Sequence, residues 1–412
     1  MTDDQTHLTA SQAAAELGVT LPTLYAYVSR GLLASESAPG EPRARRYRRD
    51  DIERLQARQE LRRHPEKAAT RALAWGEPVL DSALTMIDGR ALYYRGRDAV
   101  ALSRQLSLEQ VAALLWTGDE GAADELFADT APPRALPAPA AARIYTSLAP
   151  VERMQALLPL AAAADPAAWD LRPEAVARCG ARILAVATEA VTGKPRHRDG
   201  VVASLLAAWR PRGRGASKTF SASLSAALVL SADHELNVST FAARCVASAE
   251  ATPWDAVAAG LAALKGRRHG GEAFRMAALL REAEAAGPAT ALTAWLRRGE
   301  RLPGIGHKLY PAGDPRGTEL LALAARAAPG SPALRRVQTL GAAATKLTGE
   351  LPNIDLGLAA LAAALRLPAG APHALFALGR TLGWVAHAIE EYARGALIRP
   401  RARYVGPTPG NR

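Results

Sequence analysis

The stretch 231-SADHELNVST-240 says most about the fold and chemistry of this chain, because it sets a histidine, His234, in a short polar segment. Three further residues stand downstream in glycine-rich or polar settings: His269 in LKGRRHGGEAF (264–274), His307 in LPGIGHKLYPAGDPRG (302–317) and Asp355 in ELPNIDLG (350–357). The whole chain has only eight histidines, so three in such settings are more than chance would place there. Imidazoles with one carboxylate can take a proton from a weak carbon acid while holding the resulting oxyanion. The pattern therefore predicts an enzyme site.

Around these residues the chain resembles the citrate synthase family. Residues 232–271 are similar to the family's block ADHE-N-ST…AS…L-GP-HGG, and residues 303–316 to its block PG-GH…Y…DPR. Further similar segments are PVLDSALTMIDGRALYYRGRDAV (78–100), SLEQVAALLWTGD (107–119), LPNID (351–355), FALGRTLGWVAH (376–387) and IRPRARYVGP (398–407). The resemblance therefore covers about residues 70 to 407, with its segments in the family's order.

Composition agrees with a mostly helical fold. Hydrophobic residues make up 49% of the chain although aromatics reach only 5%, so alanine and leucine dominate, and both are strong helix formers. Helical periodicity broken by glycine and proline continues to the C-terminus, and no stretch alternates as a multi-stranded sheet would. The resemblance implies a large helical domain over 77–412, with a smaller helical domain inserted at about 233–340 and the active-site cleft between them.

The resemblance also implies a role for each residue in condensing oxaloacetate with acetyl-CoA and water to citrate and CoA. Asp355 would be the base, since a desolvated carboxylate binds a proton more tightly. His269 would donate a hydrogen bond to the thioester oxygen as the enol forms. His307 would polarise the oxaloacetate carbonyl, and His234 would bind an oxaloacetate carboxylate or hydroxyl.

Arginines should converge on such a pocket, because its substrate is a dicarboxylate and guanidinium–carboxylate pairs fix both charge and orientation. The matching positions are Arg316 in DPRG, Arg380 in ALGRTLGW and Arg399 in IRPRARY. In the family the last of these reaches the neighbouring subunit's site, so the resemblance implies a homodimer with shared sites. No metal-ligand set or phosphate-binding loop is evident, and we expect no cofactor beyond the acyl-CoA substrate.

The acyl-CoA side departs from the family pattern. Arg267 and Arg268 stand where the family usually has proline and a small or apolar residue, and Glu272 stands where a small residue is common. Pro311 takes the place of a basic residue that meets coenzyme A in many members. The run after Asp355, LGLAALAAAL, is closer to citryl-CoA lyase-type relatives. Propionyl-CoA in place of acetyl-CoA, and a citryl-CoA lyase-like subunit, therefore stay open as alternatives.

Residues 1–63 are predicted to form a separate domain. SQAAAELGV (11–19) and LPTLYAYVSRGL (21–32) have helix-turn-helix spacing, SESAPGEPRARRYRR (35–49) has the composition of a wing, and DDIERLQARQELRR (50–63) that of a closing helix. The segment resembles the winged helix-turn-helix of MerR-type and excisionase-type proteins. Residues 64–76 are predicted to be a linker.

The resemblance implies a DNA-facing surface on this first domain. Its residues would be Thr23, Tyr25, Arg30, Arg43, Arg45, Arg46 and Arg48. Arginines there would mostly contact phosphates, which provide affinity rather than sequence choice. The chain carries a formal net charge of +11, but residues 1–67 hold eleven Lys/Arg and ten Asp/Glu, a net of +1. A DNA-binding regulator that senses citrate or acyl-CoA, and a helical appendage that binds no DNA, are both compatible with the sequence.

The sequence predicts a cytoplasmic protein with no membrane partner. The N-terminal residues MTDDQTHLTA contain acids and no apolar run, and the longest apolar stretch, 356–365, is too short to span a bilayer. The two cysteines offer neither a disulfide framework nor metal-ligand spacing.

Overall fold

A computed structural model describes residues 7–30, 32–38, 41–49, 51–52, 55, 80–128, 147–209 and 218–407. The chain forms two compact units, residues 1–81 and 82–412. The predicted linker, 64–76, lies outside the described residues. The inserted domain at about 233–340 stays a prediction.

The first unit combines two short helices with a small sheet. Its elements are β1 (His7–Thr9), α1 (Ala10–Glu16), α2 (Leu21–Ser29), β2 (Glu36–Ala38) and β3 (Glu41–Arg48). Thr9 and Gln12 form a capping box that starts α1, and the antiparallel sheet has the order β1-β3-β2. Leu24, Tyr47 and Ile52 are buried in its core. The predicted wing is thus a β2–β3 hairpin; of the predicted closing helix, only residues 51, 52 and 55 are described, and they are helical.

The second unit is mostly helical, as predicted. Its first elements are β4 (Thr85–Ile87), β5 (Leu92–Tyr94), β6 (Arg97–Asp98), α3 (Ala99–Gln105), α4 (Leu108–Thr117), α5 (Ala123–Ala128), α6 (Pro150–Ala163), α7 (Pro173–Thr192), α8 (Val201–Trp209) and α9 (Lys218–Leu230). The others are α10 (Val238–Ala247), α11 (Pro253–Leu264), α12 (Glu272–Ala286), α13 (Pro288–Arg297), α14 (Pro315–Ala327), α15 (Pro332–Thr348), α16 (Ile354–Leu365) and α17 (Ala371–Arg394). Short 3-10 helices lie at Glu120–Ala122 and Pro166–Trp169. Within the described residues, no helix is long and apolar enough to cross a membrane.

A small antiparallel sheet of order β4-β5-β6 was not predicted from the sequence. Its strands are only two or three residues long, too short for an alternating pattern to stand out. The sheet matters for the site because the buried Tyr94 hydroxyl donates to the carbonyls of Val229 (3.0 Å) and Asp233 (3.3 Å). It thereby holds the end of α9 and the residue before His234.

Helix α17 is buried along most of its 24 residues and is therefore part of the core of the second unit. It crosses α9 at Gly379, where any Cβ atom would clash with the carbonyl oxygen of Leu228. Only glycine therefore permits this close approach. The crossing places the loop after α9, which carries His234, directly over α17, which carries Arg380.

Helices α14 and α16 approach each other in the same way. A Cβ atom on Gly317 would lie 2.5 Å from the carbonyl oxygen of Asn353. Arg316 directly precedes Gly317 in the chain, and Asp355 lies two residues after Asn353. The close contact therefore sets the arginine beside the aspartate.

Candidate active site

Two of the predicted histidines meet in the cluster that His234 forms with His307 and Tyr310. The His234 ring centroid is 5.0 Å from that of His307 and 5.6 Å from that of Tyr310. Its Nε2 lies 3.1 Å from the Tyr310 hydroxyl. Burial lowers the pKa of His234 well below its usual value, and the positive charge of Arg316 adds to that effect. His234 is therefore a neutral ring at neutral pH.

A backbone contact sets the tautomer of His307. The N–H of Leu309 donates to Nδ1 of His307 at 3.2 Å, so Nδ1 is an acceptor. In a neutral imidazole the one ring hydrogen is then on Nε2. Burial, followed by the charge of Arg316, lowers the pKa of His307 to about 4. His307 is thus a neutral hydrogen-bond donor through Nε2.

His269 lies in the tight turn before α12 and is half-buried. Its Nε2 is 2.8 Å from the Ser239 hydroxyl, and its ring meets Phe376 edge-on at 6.2 Å between centroids. Burial, and then the charge of Arg380, lowers the pKa of His269 to about 3. This third imidazole is also neutral.

Ser239 connects His269 to the core. The indole Nε1 of Trp384 can only donate, and it lies 3.2 Å from the Ser239 oxygen. Asn237 Oδ1 lies 2.7 Å from that oxygen and also accepts the backbone N–H groups of Ser239 and Thr240. The one hydroxyl hydrogen of Ser239 therefore has two acceptors within reach, Oδ1 of Asn237 at 2.7 Å and Nε2 of His269 at 2.8 Å.

Asp355 is in the first turn of α16, where Asn353 Oδ1 caps the helix by accepting the Asp355 N–H at 2.9 Å. Among the described residues, nothing donates a hydrogen bond to its carboxylate. Burial, followed by the negative charge of Glu272, raises the pKa of Asp355 to about 7, and the Arg316 charge opposes them. The carboxylate is therefore a stronger base than an exposed aspartate.

Arg316 is 2% exposed and forms two bonds to Asp314, Nε to Oδ1 at 2.9 Å and Nη2 to Oδ2 at 2.8 Å. Its guanidinium carbon lies 5.4 Å from the centroid of the Tyr310 ring. Asp314 also accepts the N–H of Ile354 at 3.1 Å. The pair thus ties the start of α14 to the start of α16 and supplies a fixed positive charge.

Arg380 is 1% exposed and is less well compensated than Arg316. Its Nε donates to the Ser231 carbonyl at 2.9 Å, and its guanidinium carbon lies 4.7 Å from the Phe376 ring centroid. Its buried Nη1 has no hydrogen-bond partner among the described residues. Burial lowers the pKa of Arg380 to about 10. Burying a cation with an unused donor costs free energy unless an anion pairs with it, so the geometry around Arg380 would suit an anionic ligand.

Arg399 is the one predicted site residue that these contacts do not include. It is exposed in the segment after α17, and no described contact joins it to the cluster. The structure therefore brings together His234, His269, His307, Asp355, Arg316 and Arg380, and leaves Arg399 outside.

The predicted DNA-facing residues belong to the first unit. Tyr25 is 50% exposed on α2, and Arg30, Arg45 and Arg48 are exposed. Thr23 shares a hydrogen bond of 2.9 Å with Thr20, and Arg46 is paired with Glu36 at 3.3 Å. The side chain of Arg43 lies outside the described residues. The surface thus presents an aromatic ring and several cations.

Sequence reasoning missed several residues of the site, namely Ser239, Tyr310, Asp314 and Trp384. All four lie inside segments that resemble the citrate synthase family. None of them is a histidine or an arginine, the residue types on which the sequence prediction of the site mainly relied. The contacts of Ser239 with His269 and of Tyr310 with His234 are long-range in sequence and arise only on folding, whereas Asp314 pairs with Arg316 two residues away.

No group of three or more His, Cys, Asp or Glu side chains in the described part of the chain could hold a metal ion. Cys179 is buried and Cys245 half-buried, and both are free thiols.

The family model for the citrate synthase C-terminal domain matches residues 73–401, and that for a helix-turn-helix domain matches residues 8–60. The chain belongs to the citrate synthase family. Among relatives, citrate synthase 2 of Bacillus subtilis strain 168 is 30% identical over 366 residues, covering 82% of this chain and 96% of that protein. A putative citrate synthase 2 of Mycobacterium tuberculosis strain H37Rv is 39% identical over 189 residues, 44% of this chain. That match spans only 50% of the mycobacterial protein.

A solved member of the family has the same fold. It is the citrate synthase of Thermoplasma acidophilum in a ternary complex with carboxymethyl coenzyme A and oxaloacetate. The TM-score is 0.65 at 27% identity, and the match covers 81% of this chain and 95% of that one. The family fold therefore extends over nearly the whole length of that solved chain.

Proposed function

We propose that the protein is a citrate synthase-type acyltransferase, which condenses oxaloacetate with acetyl-CoA and water to citrate and free CoA. The observation that carries the proposal is the convergence of three neutral imidazoles, a strongly basic carboxylate and two buried guanidiniums in one site. The Thermoplasma relative was solved with oxaloacetate and a coenzyme A derivative, which supports the same two ligands here.

In the first step Asp355 takes a proton from the acetyl methyl group, and the electron pair of that C–H bond moves toward the thioester oxygen. His269 holds this oxygen. If Ser239 donates to Nε2 of His269, the ring hydrogen is on Nδ1 and can be donated to the developing enol. The indole of Trp384 donates to the Ser239 oxygen, so it does not compete for the Ser239 hydrogen.

In the second step the enol carbon attacks the oxaloacetate ketone. His307 donates through Nε2 to the ketone oxygen and protonates it as the carbon–carbon bond forms. His234, Arg316 and Arg380 hold the carboxylates, and the unused Nη1 donor of Arg380 gives one of them a direct partner. Hydrolysis of the citryl thioester by water then releases CoA.

The site draws on both parts of the predicted two-domain arrangement. His269, His307 and Arg316 belong to the segment 233–340, whereas Asp355 and Arg380 follow it. Closure of the smaller domain would exclude water until the condensation is complete.

Arg399 would complete the site of a second subunit in a homodimer. The segment that carries it exposes the large apolar side chains of Leu397, Tyr404 and Val405. Such side chains are expected at an interface.

The phosphates of coenzyme A would be met by Arg267 and Arg268. Both are exposed, directly precede His269, and form no ion pair with a described residue. They would offset the loss of the basic residue replaced by Pro311. The transferred acyl group is acetyl or propionyl. The two differ by one methylene, which changes the binding free energy in an apolar pocket by only about 1–3 kcal/mol, so both are kept as candidates.

Release of free CoA thiol tests the proposal. Purified protein with oxaloacetate plus acetyl-CoA or propionyl-CoA is expected to release thiol, and the faster substrate identifies the acyl group. Omission of oxaloacetate is the control. A folded protein that releases none would contradict the synthase activity, and cleavage of citryl-CoA to acetyl-CoA and oxaloacetate would then support the lyase alternative.

DNA binding by the first unit is the second candidate function. It is favoured by the exposed Tyr25 and by the exposed Arg45 on the hairpin, which forms no ion pair with a described residue. We expect the full-length protein to bind double-stranded DNA with an affinity that falls as salt rises. Arg45→Gln should reduce the slope of log affinity against log salt by about 1 if it contacts one phosphate. Fluorescence anisotropy with labelled duplex measures both.

Arg326→Gln is the matched control for that experiment, because Arg326 is an exposed arginine on the second unit. Binding that is absent at low salt, or equally weakened by both changes, would leave the first unit without a DNA-binding role.

A further inference from the structure

Glu272 begins α12 directly after His269, Gly270 and Gly271. One turn later Met276 is on the same face of the helix, since residues four apart are neighbours. A Cβ atom on Gly304 would lie 2.8 Å from Met276 Sδ and 3.1 Å from Leu356 Cβ. Met276 and Leu356 therefore meet at one point, and the face of α12 that bears Glu272 looks toward the start of α16, which bears Asp355.

The Glu272 carboxyl group at this junction has one arginine partner among the described residues. Its side chain is 26% exposed and pairs with Arg275 at 2.8 Å. Arg275 is shared, because it also pairs with Glu300 at 3.4 Å and donates to the Arg301 carbonyl at 2.6 Å. The guanidinium is thus divided among three acceptors and does not fully cancel the Glu272 charge.

The charged groups around Asp355 are Glu272 from α12, and Asp314 and Arg316 from the start of α14. Arg316 is already bonded twice to Asp314, so these two largely offset each other. Glu272 therefore supplies the uncompensated charge, and it has the largest influence on Asp355 after burial itself.

We propose that Glu272 is a positioning residue for the base Asp355, its negative charge making Asp355 a stronger acceptor of the acyl-CoA α-proton. This rests on the proposed function. A like charge disfavours the ionised form of a neighbouring carboxyl, so Asp355 binds the transferred proton more tightly. The electron pair left on carbon moves to the thioester oxygen held by His269. Proton transfer is faster to a base whose pKa is near the working pH.

The pH profile of Glu272→Gln tests the proposal. The acid limb of kcat/KM for acetyl-CoA should move to lower pH by about half a pH unit or more, since a like charge has been removed. The plateau kcat should fall a few-fold, with the KM for oxaloacetate unchanged. Glu272→Asp should return the limb toward its original position.

Glu282→Gln is the matched control. It removes the same negative charge from the same helix, but at a position that pairs with Arg298. Its acid limb should stay at the wild-type pH. An unmoved limb in Glu272→Gln, or an equal movement in Glu282→Gln, would overturn the proposal.

Direct titration separates this proposal from the proposed function. In protein carrying ¹³Cγ-aspartate, the Asp355 signal is assigned by its loss in Asp355→Asn, and its pKa is read with no turnover. A lower pKa in Glu272→Gln supports the inference even if no thiol is released. An unchanged pKa contradicts it even in an active synthase.

Discussion

Asp355→Asn is expected to lower kcat for thiol release by about 10²- to 10⁴-fold, the usual contribution of a general base. Asparagine keeps the shape of the side chain but cannot accept the acyl-CoA proton. Oxaloacetate should still bind, because its expected partners His234, Arg316 and Arg380 are untouched. Steady-state kinetics measures the first effect, and the thermal shift on adding oxaloacetate measures the second.

The pH dependence of the wild-type enzyme checks the same assignment. Burial and Glu272 raise the pKa of Asp355 to about 7, so its ionised fraction falls as the pH drops through that value. The kcat/KM should therefore fall about tenfold per pH unit on the acid side. The residual rate of Asp355→Asn should lack this limb. Asp199→Asn, at an exposed position, should behave as wild type; a wild-type rate in Asp355→Asn would remove Asp355 as the base.

Arg380→Met is expected to weaken oxaloacetate binding by roughly 30-fold or more, since removing one partner of a buried charge pair costs about 2–5 kcal/mol. The free protein should unfold at a temperature no lower than wild type. Burial lowers the pKa of Arg380 to about 10, which signals that its charge is costly without a ligand, and methionine removes that cost. Thermal unfolding with and without oxaloacetate measures both effects.

Arg326→Gln is the control for this change, because it removes an exposed arginine at the opposite end of α14 from Arg316 and should leave the oxaloacetate-dependent shift intact. If Arg380→Met still bound oxaloacetate as tightly as the wild type, another group would have to bind the oxaloacetate carboxylate. A large loss of stability would mean that Arg380 holds the fold through Ser231 rather than awaiting an anion.

The two buried arginines, Arg380 and Arg316, differ in how well their charges are compensated. Arg316 is buried as deeply but is satisfied by Asp314, and that pair also joins two helices. Arg380 has one backbone acceptor and an unused donor. The two arginines have the same chemistry and similar burial, so the difference in their hydrogen-bond partners is what marks Arg380 as the candidate for binding a ligand.

Much of the site could be predicted from the sequence, because its reacting groups lie in short, locally distinctive segments. His234, His269, His307 and Asp355 were identified from such segments, and Arg316 and Arg380 from matching positions, and the structure brings all six together. The mostly helical architecture followed from alanine- and leucine-rich periodicity. The small sheet β4-β5-β6 was missed, since strands of two or three residues carry no readable period.

By itself, the sequence determined which imidazole, carboxyl and guanidinium groups are candidates for the site, and that a helix-turn-helix domain precedes the family fold. Only the tertiary structure decided the tautomers, hydrogen-bond partners and pKa values of these groups. The Leu309 N–H sets the His307 tautomer, Ser239 holds Nε2 of His269, and burial together with the Glu272 charge raises the pKa of Asp355 to about 7. Except for the local Leu309–His307 bond, these effects depend on desolvation and on distances between residues far apart in the chain. Residue identity and spacing alone do not reveal them.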